Sequence, residues 1–277
     1  MPQRAADDRG VTVPARPALC VIPAYLRTPA QLDLLVRCLV SLWRTAPGTE
    51  VLVVDDGSPE PALVAQLEVA GPELGFELHR KPENTGFSST VNVGLRRALE
   101  TGRDAVLVNA DIEFFDPGWL ERMQARTDTA GRPAAVVGAR LLYPNGLIQH
   151  AGIFASLLKR DWIHRFQYGP SDLPEALVAC RCPVTAALQL IRHETLEIVG
   201  LYDERFSMCF EDVDYCLRTF DAGLDCIYEP SVRAFHHEMM FRSNPSPKLE
   251  RWLKESTRYM WSKWGAADVS AWVPEAL

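Results

Sequence analysis

The stretch Glu50-Val-Leu-Val-Val-Asp-Asp-Gly-Ser58 decides the class of fold that this sequence predicts. A run of apolar residues between two helical patterns indicates a strand that is buried on both faces of a parallel sheet. Ligands of such sheets bind beyond the carboxyl ends of the strands, which is where Asp55 and Asp56 stand. A simple Asp-Gly turn is the alternative explanation for these acids. We therefore expect an α/β fold with a mostly parallel central sheet flanked by helices.

Similar patterns follow along the chain. Apolar runs predict further strands over 18–22, 76–79, 104–113, 134–139 and 225–228, and apolar residues at helical spacing predict helices over 31–43, 61–69 and 248–264. The segment 140–185 lacks this alternation, and we expect irregular strands and loops there. The predicted organisation is a tail over 1–17, one domain over 18–265 with halves at 18–135 and 136–265, and a second tail over 266–277.

Composition narrows the functional classes. The 277 residues are 47% hydrophobic and carry a formal net charge of −7 without a basic tract, which disfavours a nucleic-acid partner. No apolar run approaches the ~20 residues of a membrane span. The seven cysteines form no CxxC pair, which predicts buried free thiols in a reducing compartment. We expect a cytoplasmic protein, with peripheral membrane association and a homodimer as open alternatives.

An acidic segment begins a predicted helix in the second half. Phe210-Glu-Asp-Val-Asp-Tyr-Cys-Leu-Arg218 places three carboxylates within four residues, and apolar residues then recur at helical spacing. The helix dipole favours negative charge at this end. Acidic capping of the helix and a functional site are both compatible with the pattern.

Polar residues also follow the other predicted strands. In an extended chain, Asn109, Asp111 and Glu113 would share one face, and their oxygen ligands suit Mg²⁺ or Mn²⁺. The turn Asn84-Thr-Gly86 opens a helix, where backbone N–H groups are available to a phosphate. The sequence lacks both GxxxxGK[ST] and GxGxxG, so this second signal is weak alone.

Eight motifs follow one another in a defined order within residues 18–265. They are Val21-Ile-Pro-Ala-Tyr25, Val53-Val-Asp-Asp-Gly-Ser58, Asn84-x-Gly86, Asn92-x-Gly94, Asn109-x-Asp111, Thr185-Ala186, Phe210-Glu-Asp-Val-Asp214 and His236-His237. Taken in this order, they resemble the family 2 glycosyltransferases of GT-A fold, and Gln149-His-Ala-Gly and His164-Arg-Phe resemble its rhamnosyltransferase-like branch. The resemblance implies an inverting, metal-dependent transfer of a sugar from a nucleotide-diphosphate sugar to a glycan, lipid-linked or small-molecule acceptor.

The same resemblance implies roles for individual residues. Asp212 matches the general base of the family, and Asp111 the metal-binding acid of its DxD motif, whose first acid is Asn109 here. Glu113 could compensate for that replacement. His236 matches a late metal-binding histidine and is favoured over His237. The implied nucleotide-sugar site contains Pro23, Tyr25, Asp55, Asp56, Asn84, Gly86, Asn109 and Asp111, and acceptor or diphosphate contacts are predicted for Glu211, His150, Arg165 and His237.

Two other functions compete with this one. A sugar-nucleotide nucleotidyltransferase would need a glycine-rich loop after the first strand, whereas Pro23-Ala-Tyr-Leu-Arg27 contains no glycine. A non-catalytic sugar-nucleotide-binding protein would keep the same fold. The replacement of an acid by Asn109 keeps that second alternative open.

Overall fold

The computed structural model describes residues 16–128, 130–156, 161–238, 246–265 and 275–276. Most of the two predicted tails, residues 1–15, 266–274 and 277, lies outside these ranges. The strands are β1 (Ala18–Ala24), β2 (Glu50–Asp55), β3 (Glu77–Arg80), β4 (Asp104–Val108), β5 (Ile112–Phe114), β6 (Val136–Leu142), β7 (Ile148–His150), β8 (Ile153–Ser156), β9 (Asp161–His164), β10 (Cys180–Arg181), β11 (Leu188–Ile191), β12 (Cys226–His236) and β13 (Glu275–Ala276). The helices are α1 (Pro29–Thr45), α2 (Pro61–Leu74), α3 (Phe87–Glu100), α4 (Trp119–Ala125), α5 (His193–Val199), α6 (Glu211–Asp221) and α7 (Pro247–Trp264).

The central sheet has the order β13-β10-β12-β6-β11-β4-β1-β2-β3. Its β3-β2-β1-β4 part is parallel throughout, as is the β6–β12 pair. Strand β11 lies between β4 and β6 and is antiparallel to both. The predicted α/β class with a mostly parallel sheet flanked by helices is therefore confirmed.

Apolar side chains cover both faces of this sheet, as the alternation along β1 illustrates. Cys20 and Ile22 pack in one apolar cluster with α1 and α2. Leu19 and Val21 pack in the other cluster with α3, α6 and α7. Gly94 allows α3 to approach β1 closely, because a Cβ at that position would lie 2.3 Å from a Val21 methyl group.

The structure corrects three sequence predictions. The strand predicted over 104–113 is interrupted, because a turn closed by the Ile112 N–H and the Asn109 carbonyl (3.0 Å) separates β4 from β5. The strand predicted over 225–228 is longer than expected and forms the 11-residue β12, whose pairing register shifts between Glu229 and Arg233. The shift falls at a proline, Pro230, which cannot donate to the ladder.

The third correction is helix α5, which the sequence patterns did not indicate because it spans only seven residues. The described residues of 140–156 and 161–185 form short strands and loops, as predicted, and also a 3₁₀ helix at Pro174–Leu177. All seven cysteines are free, and all but Cys209 are buried. Within the described ranges, the helices are too short or too polar to cross a membrane.

Candidate active site

The ends of β1, β2 and β4 and the last residue of β12 bring the predicted site residues to one edge of the sheet. Pro23 is paired with Val54 of the neighbouring strand, and the Asp56 N–H donates to the Ala24 carbonyl at 2.8 Å. Pro23 and Tyr25 are partly exposed. The parallel pairing of β1 and β2 therefore places Pro23 and Tyr25 beside the two aspartates.

The two aspartates have different surroundings. Asp55 is fully buried, accepts hydrogen bonds from the Ser58 backbone and hydroxyl, and forms an ion pair with Arg80 at 3.3 Å. It therefore stabilises the turn after β2. Asp56 is 6% exposed and accepts hydrogen bonds from the loop before α3. The donors to Asp56 are the Thr85 and Gly86 N–H groups, each at 3.0 Å, and the Lys81 ammonium at 2.7 Å.

The turn at Asn84–Gly86 does not present those N–H groups outward. Since Thr85 and Gly86 donate to Asp56, their amides are not free for a phosphate in this conformation. The Asn84 carbonyl accepts a hydrogen bond from Lys248 at 2.7 Å, and no residue in the described part of the chain donates to its buried side-chain oxygen Oδ1. Sequence reasoning missed Lys81, although it is the only cation between β3 and Asn84.

Asp111 and His236 meet beyond the end of β4. Asp111 Oδ1 lies 3.2 Å from His236 Nε2, and the two side chains are almost completely buried. The second carboxylate oxygen, Asp111 Oδ2, is buried and has no hydrogen-bond partner among the residues that the structure describes. Asn109 Nδ2 lies 3.3 Å from the same His236 nitrogen. The Asp111 carboxylate and the Asn109 amide therefore both lie beside the same nitrogen atom of the His236 ring.

Glu113 and His237 form a separate pair. Their Oε2 and Nε2 atoms are 3.2 Å apart, and Glu113 does not join the Asp111–His236 group. The expected common face of Asn109, Asp111 and Glu113 is wrong, because the turn before β5 breaks the extended chain. In the described part of the chain, no group of three His, Cys, Asp or Glu side chains has the geometry to hold a metal ion.

Asp212 lies in the first turn of α6 with an oriented carboxylate. Its Oδ2 accepts a hydrogen bond from the Ala186 N–H at 3.2 Å, and its Oδ1 accepts one from the Val213 N–H at 2.8 Å. The side chain stays partly exposed. The helix is capped by Phe210, not by an acid, and Cys209 and Phe210 both have positive φ, at 69° and 66°. Non-glycine residues held in this region are strained, and such strain clusters at functional sites.

The two acids that flank Asp212 differ from it. Glu211 is buried, at 7% exposure. Asp214 is fully buried, with Arg218 at 2.9 Å, Lys263 at 2.6 Å and the Trp264 indole N–H at 2.8 Å. Asp214 therefore joins α6 to α7, and the geometry gives it a structural role.

His150 and Arg165 are turned into the protein. His150 is fully buried, and its Nδ1 lies 2.8 Å from Nδ1 of His164. Burial, followed by the neighbouring His164, lowers the pKa of His150 well below its usual range. Arg165 donates to the Cys180 sulfur at 2.6 Å. His150 has no exposed surface for a ligand, whereas Arg165, although it donates to Cys180, stays partly exposed.

The adjacent Gln149 contacts the site instead. Its Oε1 lies 2.6 Å from His236 Nδ1, and the residue is 3% exposed. The sequence predicted no role for Gln149, because a single glutamine in a short irregular strand does not form part of a hydrophobic periodicity or a ligand spacing. Strands β7 and β12 both pair with β6, and this arrangement brings residues 149 and 236 together.

Solved structures define the class of the fold. The chain superposes on GalNAc-T7 with UDP, GalNAc and Mn²⁺ at a TM-score of 0.63, 17% identity and coverage of 81% of this chain and 44% of that one. It superposes on a mannosyltransferase from Pyrobaculum calidifontis in complex with GDP-Man and Mn²⁺ at a TM-score of 0.56, 16% identity and coverage of 92% and 73%. The fold is that of the GT-A glycosyltransferases.

Sequence comparison then places the chain within that class. The model of glycosyl transferase family 2 matches residues 19–174, and the chain belongs to this family. The O-antigen biosynthesis protein RfbC of Myxococcus xanthus is 30% identical over 253 residues, which are 88% of this chain and 19% of that protein. The N-acetylglucosaminyl-diphospho-decaprenol L-rhamnosyltransferase of Mycobacterium tuberculosis is 26% identical over 245 residues, 79% of this chain and 76% of that one. The chain thus spans only about a fifth of the first relative's length.

Proposed function

We propose that this chain is an inverting, metal-dependent glycosyltransferase that moves a sugar from a nucleotide-diphosphate sugar to an acceptor hydroxyl. The observation that carries the proposal is the Asp111–His236 pair, whose atoms are 3.2 Å apart and whose second carboxylate oxygen has no hydrogen-bond partner in the described ranges. Membership of glycosyl transferase family 2 supports the same enzyme class.

The donor set of this pair fits a divalent ion. A buried carboxylate oxygen without a hydrogen-bond partner is costly, and a cation between the carboxylate and the imidazole would remove that cost. Carboxylate and imidazole ligands suit Mn²⁺, and Mg²⁺ favours carboxylates with waters and phosphates. Asp111 and His236 would hold the ion, leaving its other positions to the diphosphate and water. When bound, such an ion stabilises the negative charge on the departing nucleoside diphosphate.

Asp212 is the proposed general base. As the acceptor oxygen bonds to the anomeric carbon, the bond from that carbon to the diphosphate breaks, and the hydroxyl proton passes to Asp212. The Ala186 and Val213 N–H groups fix the carboxylate for this step. Its partial exposure leaves room for an acceptor. Direct displacement from the opposite side inverts the configuration at the anomeric carbon.

The donor nucleotide would lie along the edge formed by β1, β2 and the loop before α3. Pro23 and Tyr25 supply partly exposed surface for the nucleoside. Asp56 holds the loop at Thr85 and Gly86 in place. Asp55 stabilises this surface indirectly, because it accepts a hydrogen bond from the Ser58 N–H in the turn after β2.

The acceptor classes we consider are a glycan, a lipid-linked sugar and a small molecule. A polyprenol-linked acceptor is the first to test, because the rhamnosyltransferase relative is named for a decaprenol-linked substrate. Peripheral membrane association would accompany such an acceptor.

The test is a screen of nucleotide-diphosphate sugars with Mn²⁺, first for slow donor hydrolysis and then for transfer to each acceptor class. We expect one donor to be consumed with Mn²⁺ and spared with EDTA. Consumption unaffected by EDTA would overturn the metal dependence. Binding of a donor without hydrolysis or transfer in any combination would instead favour a non-catalytic sugar-nucleotide-binding protein.

A further inference from the structure

Gln149 makes a specific contact with the proposed metal-binding histidine. Its Oε1 lies 2.6 Å from His236 Nδ1, and its Nε2 is 3.1 Å from the Glu238 carboxylate and 3.4 Å from the His236 carbonyl. An amide nitrogen donates and an amide oxygen accepts. The two oxygens near Nε2 therefore fix which way the amide points, and its oxygen faces the histidine ring.

This orientation assigns the protons of the His236 ring. Since Gln149 Oε1 only accepts, His236 Nδ1 must carry the proton that it donates. In the neutral ring, Nε2 then carries a lone pair. Asn109 Nδ2, at 3.3 Å, donates to that lone pair, and the Asp111 Oδ1 oxygen faces it at 3.2 Å. An acceptor nitrogen and a carboxylate oxygen this close repel one another unless a cation or a proton lies between them.

We propose that Gln149 is a positioning residue that fixes His236 in its Nδ1–H form and so aims the Nε2 lone pair at the space beside Asp111. The inference rests on the proposed function in one respect: its consequence for metal binding requires that His236 binds the ion. Outer partners of this kind set the tautomer and orientation of metal-binding histidines, and their loss typically weakens metal binding about 10- to 100-fold.

The direct test is ring ¹⁵N NMR of the metal-free protein, with the His236 signals assigned by their loss in His236→Asn. We expect Nδ1 to be protonated in the wild type and in Gln149→Glu, which keeps an oxygen acceptor. Gln149→Met removes the acceptor and is expected to give a mixture of the two neutral forms. An Nε2–H ring in the wild type, or an unchanged ring in Gln149→Met, would overturn the proposal.

A second measurement follows Mn²⁺ affinity by EPR of the free ion, with UDP and with GDP present. Gln149→Met should bind Mn²⁺ at least about tenfold more weakly than the wild type. The matched control is Gln167→Met, an exposed glutamine that donates to the Tyr143 hydroxyl; its Mn²⁺ affinity should not change. Equal affinity in Gln149→Met and the control would also overturn the proposal. The NMR experiment uses neither metal nor donor. Its result therefore decides the role of Gln149 even if the glycosyltransferase proposal fails.

Discussion

The backbone N–H of Phe87 donates to the carbonyl of Ser207 at 2.9 Å, so the start of α3 is bound to the segment that precedes α6. The Ser88 hydroxyl donates to the carbonyl of the neighbouring Phe206 at 2.5 Å. The loop at Thr85 and Gly86, which donates to Asp56, is therefore linked through the start of α3 to the segment that leads into α6 and Asp212. A change at this junction should affect the donor side and the base side together.

Gly86→Ala tests the junction. The glycine has φ +100°, and a Cβ there would lie 2.5 Å from the Ser207 carbonyl oxygen. Gly48→Ala is the control, because Gly48 has φ +81° with open space around the position of a Cβ. We expect Gly48→Ala to cost about 1–2 kcal/mol of unfolding free energy from the left-handed conformation. Gly86→Ala should cost about 1–3 kcal/mol more, through the clash and because its backbone (φ 100°, ψ 172°) lies in a region that only glycine adopts readily. Equal losses in urea unfolding would mean that the two segments are not tightly joined.

Asp212→Asn tests the base. The amide cannot take the acceptor proton, so the transfer rate should fall by about two to four orders of magnitude. Donor affinity should change little, since Asp212 contacts backbone amides of the protein and not the proposed donor surface. Asp221→Asn, at the exposed end of the same helix, should keep full activity. A fully active Asp212→Asn enzyme would rule out this residue as the base.

Asp111→Ala tests the metal ligand. Removing the carboxylate should weaken Mn²⁺-dependent binding of the donor at least about tenfold, in calorimetric titrations with and without Mn²⁺. Glu113→Ala is the control, because Glu113 pairs with His237 instead, and it should leave the affinity unchanged. The assignment of Asp111 would fail if Mn²⁺ raised donor affinity equally in both variants.

Asp203 predicts a dependence of stability on pH. Burial alone would raise its pKa, but hydrogen bonds from Arg205, Lys263 and Tyr259 outweigh burial and lower it well below its usual range. A lowered folded-state pKa stabilises the protein above the unfolded-state pKa, which is about 3.9, and this contribution is lost as the pH falls. Asp203→Asn should thus be less stable than the wild type at pH 7, and the difference should shrink towards pH 3. A difference that is constant with pH would contradict this account, and Asp33→Asn, on the exposed side of α1, is the control.

Local patterns predicted the sheet and one edge of the site. The apolar run of β2 leads directly into Asp55 and Asp56, so both the strand and its polar end were visible in the sequence. The apolar run of β4 was equally clear, but its predicted extension to Glu113 failed because a turn interrupts the extended chain at Asn109-Ala-Asp111, where asparagine and aspartate are common turn residues. The turn decides that Asp111, and not Glu113, meets His236.

Long-range partners could not be predicted in the same way. Gln149 and His236 are 87 residues apart, and they meet because β7 and β12 pair with the same strand, β6. Only the resemblance to the family pointed to His236, and although its motifs include Gln149 it implied no role for that residue. The roles of Asp214 and Lys81 also depend on partners that come from other elements.

The place of β11 in the sheet has a consequence for the order of folding during synthesis. Residues 18–108 contain the four parallel strands β1 to β4, and residues up to 142 add β6. Strand β11 (Leu188–Ile191) pairs with both β4 and β6. Until β11 has been synthesised, the edge of each strand that pairs with it stays open. An open strand edge invites pairing with other chains, so a nascent chain of about 150 residues would expose two such edges at once. The β1–β4 part of the sheet and β6 are joined only after β11 has been synthesised.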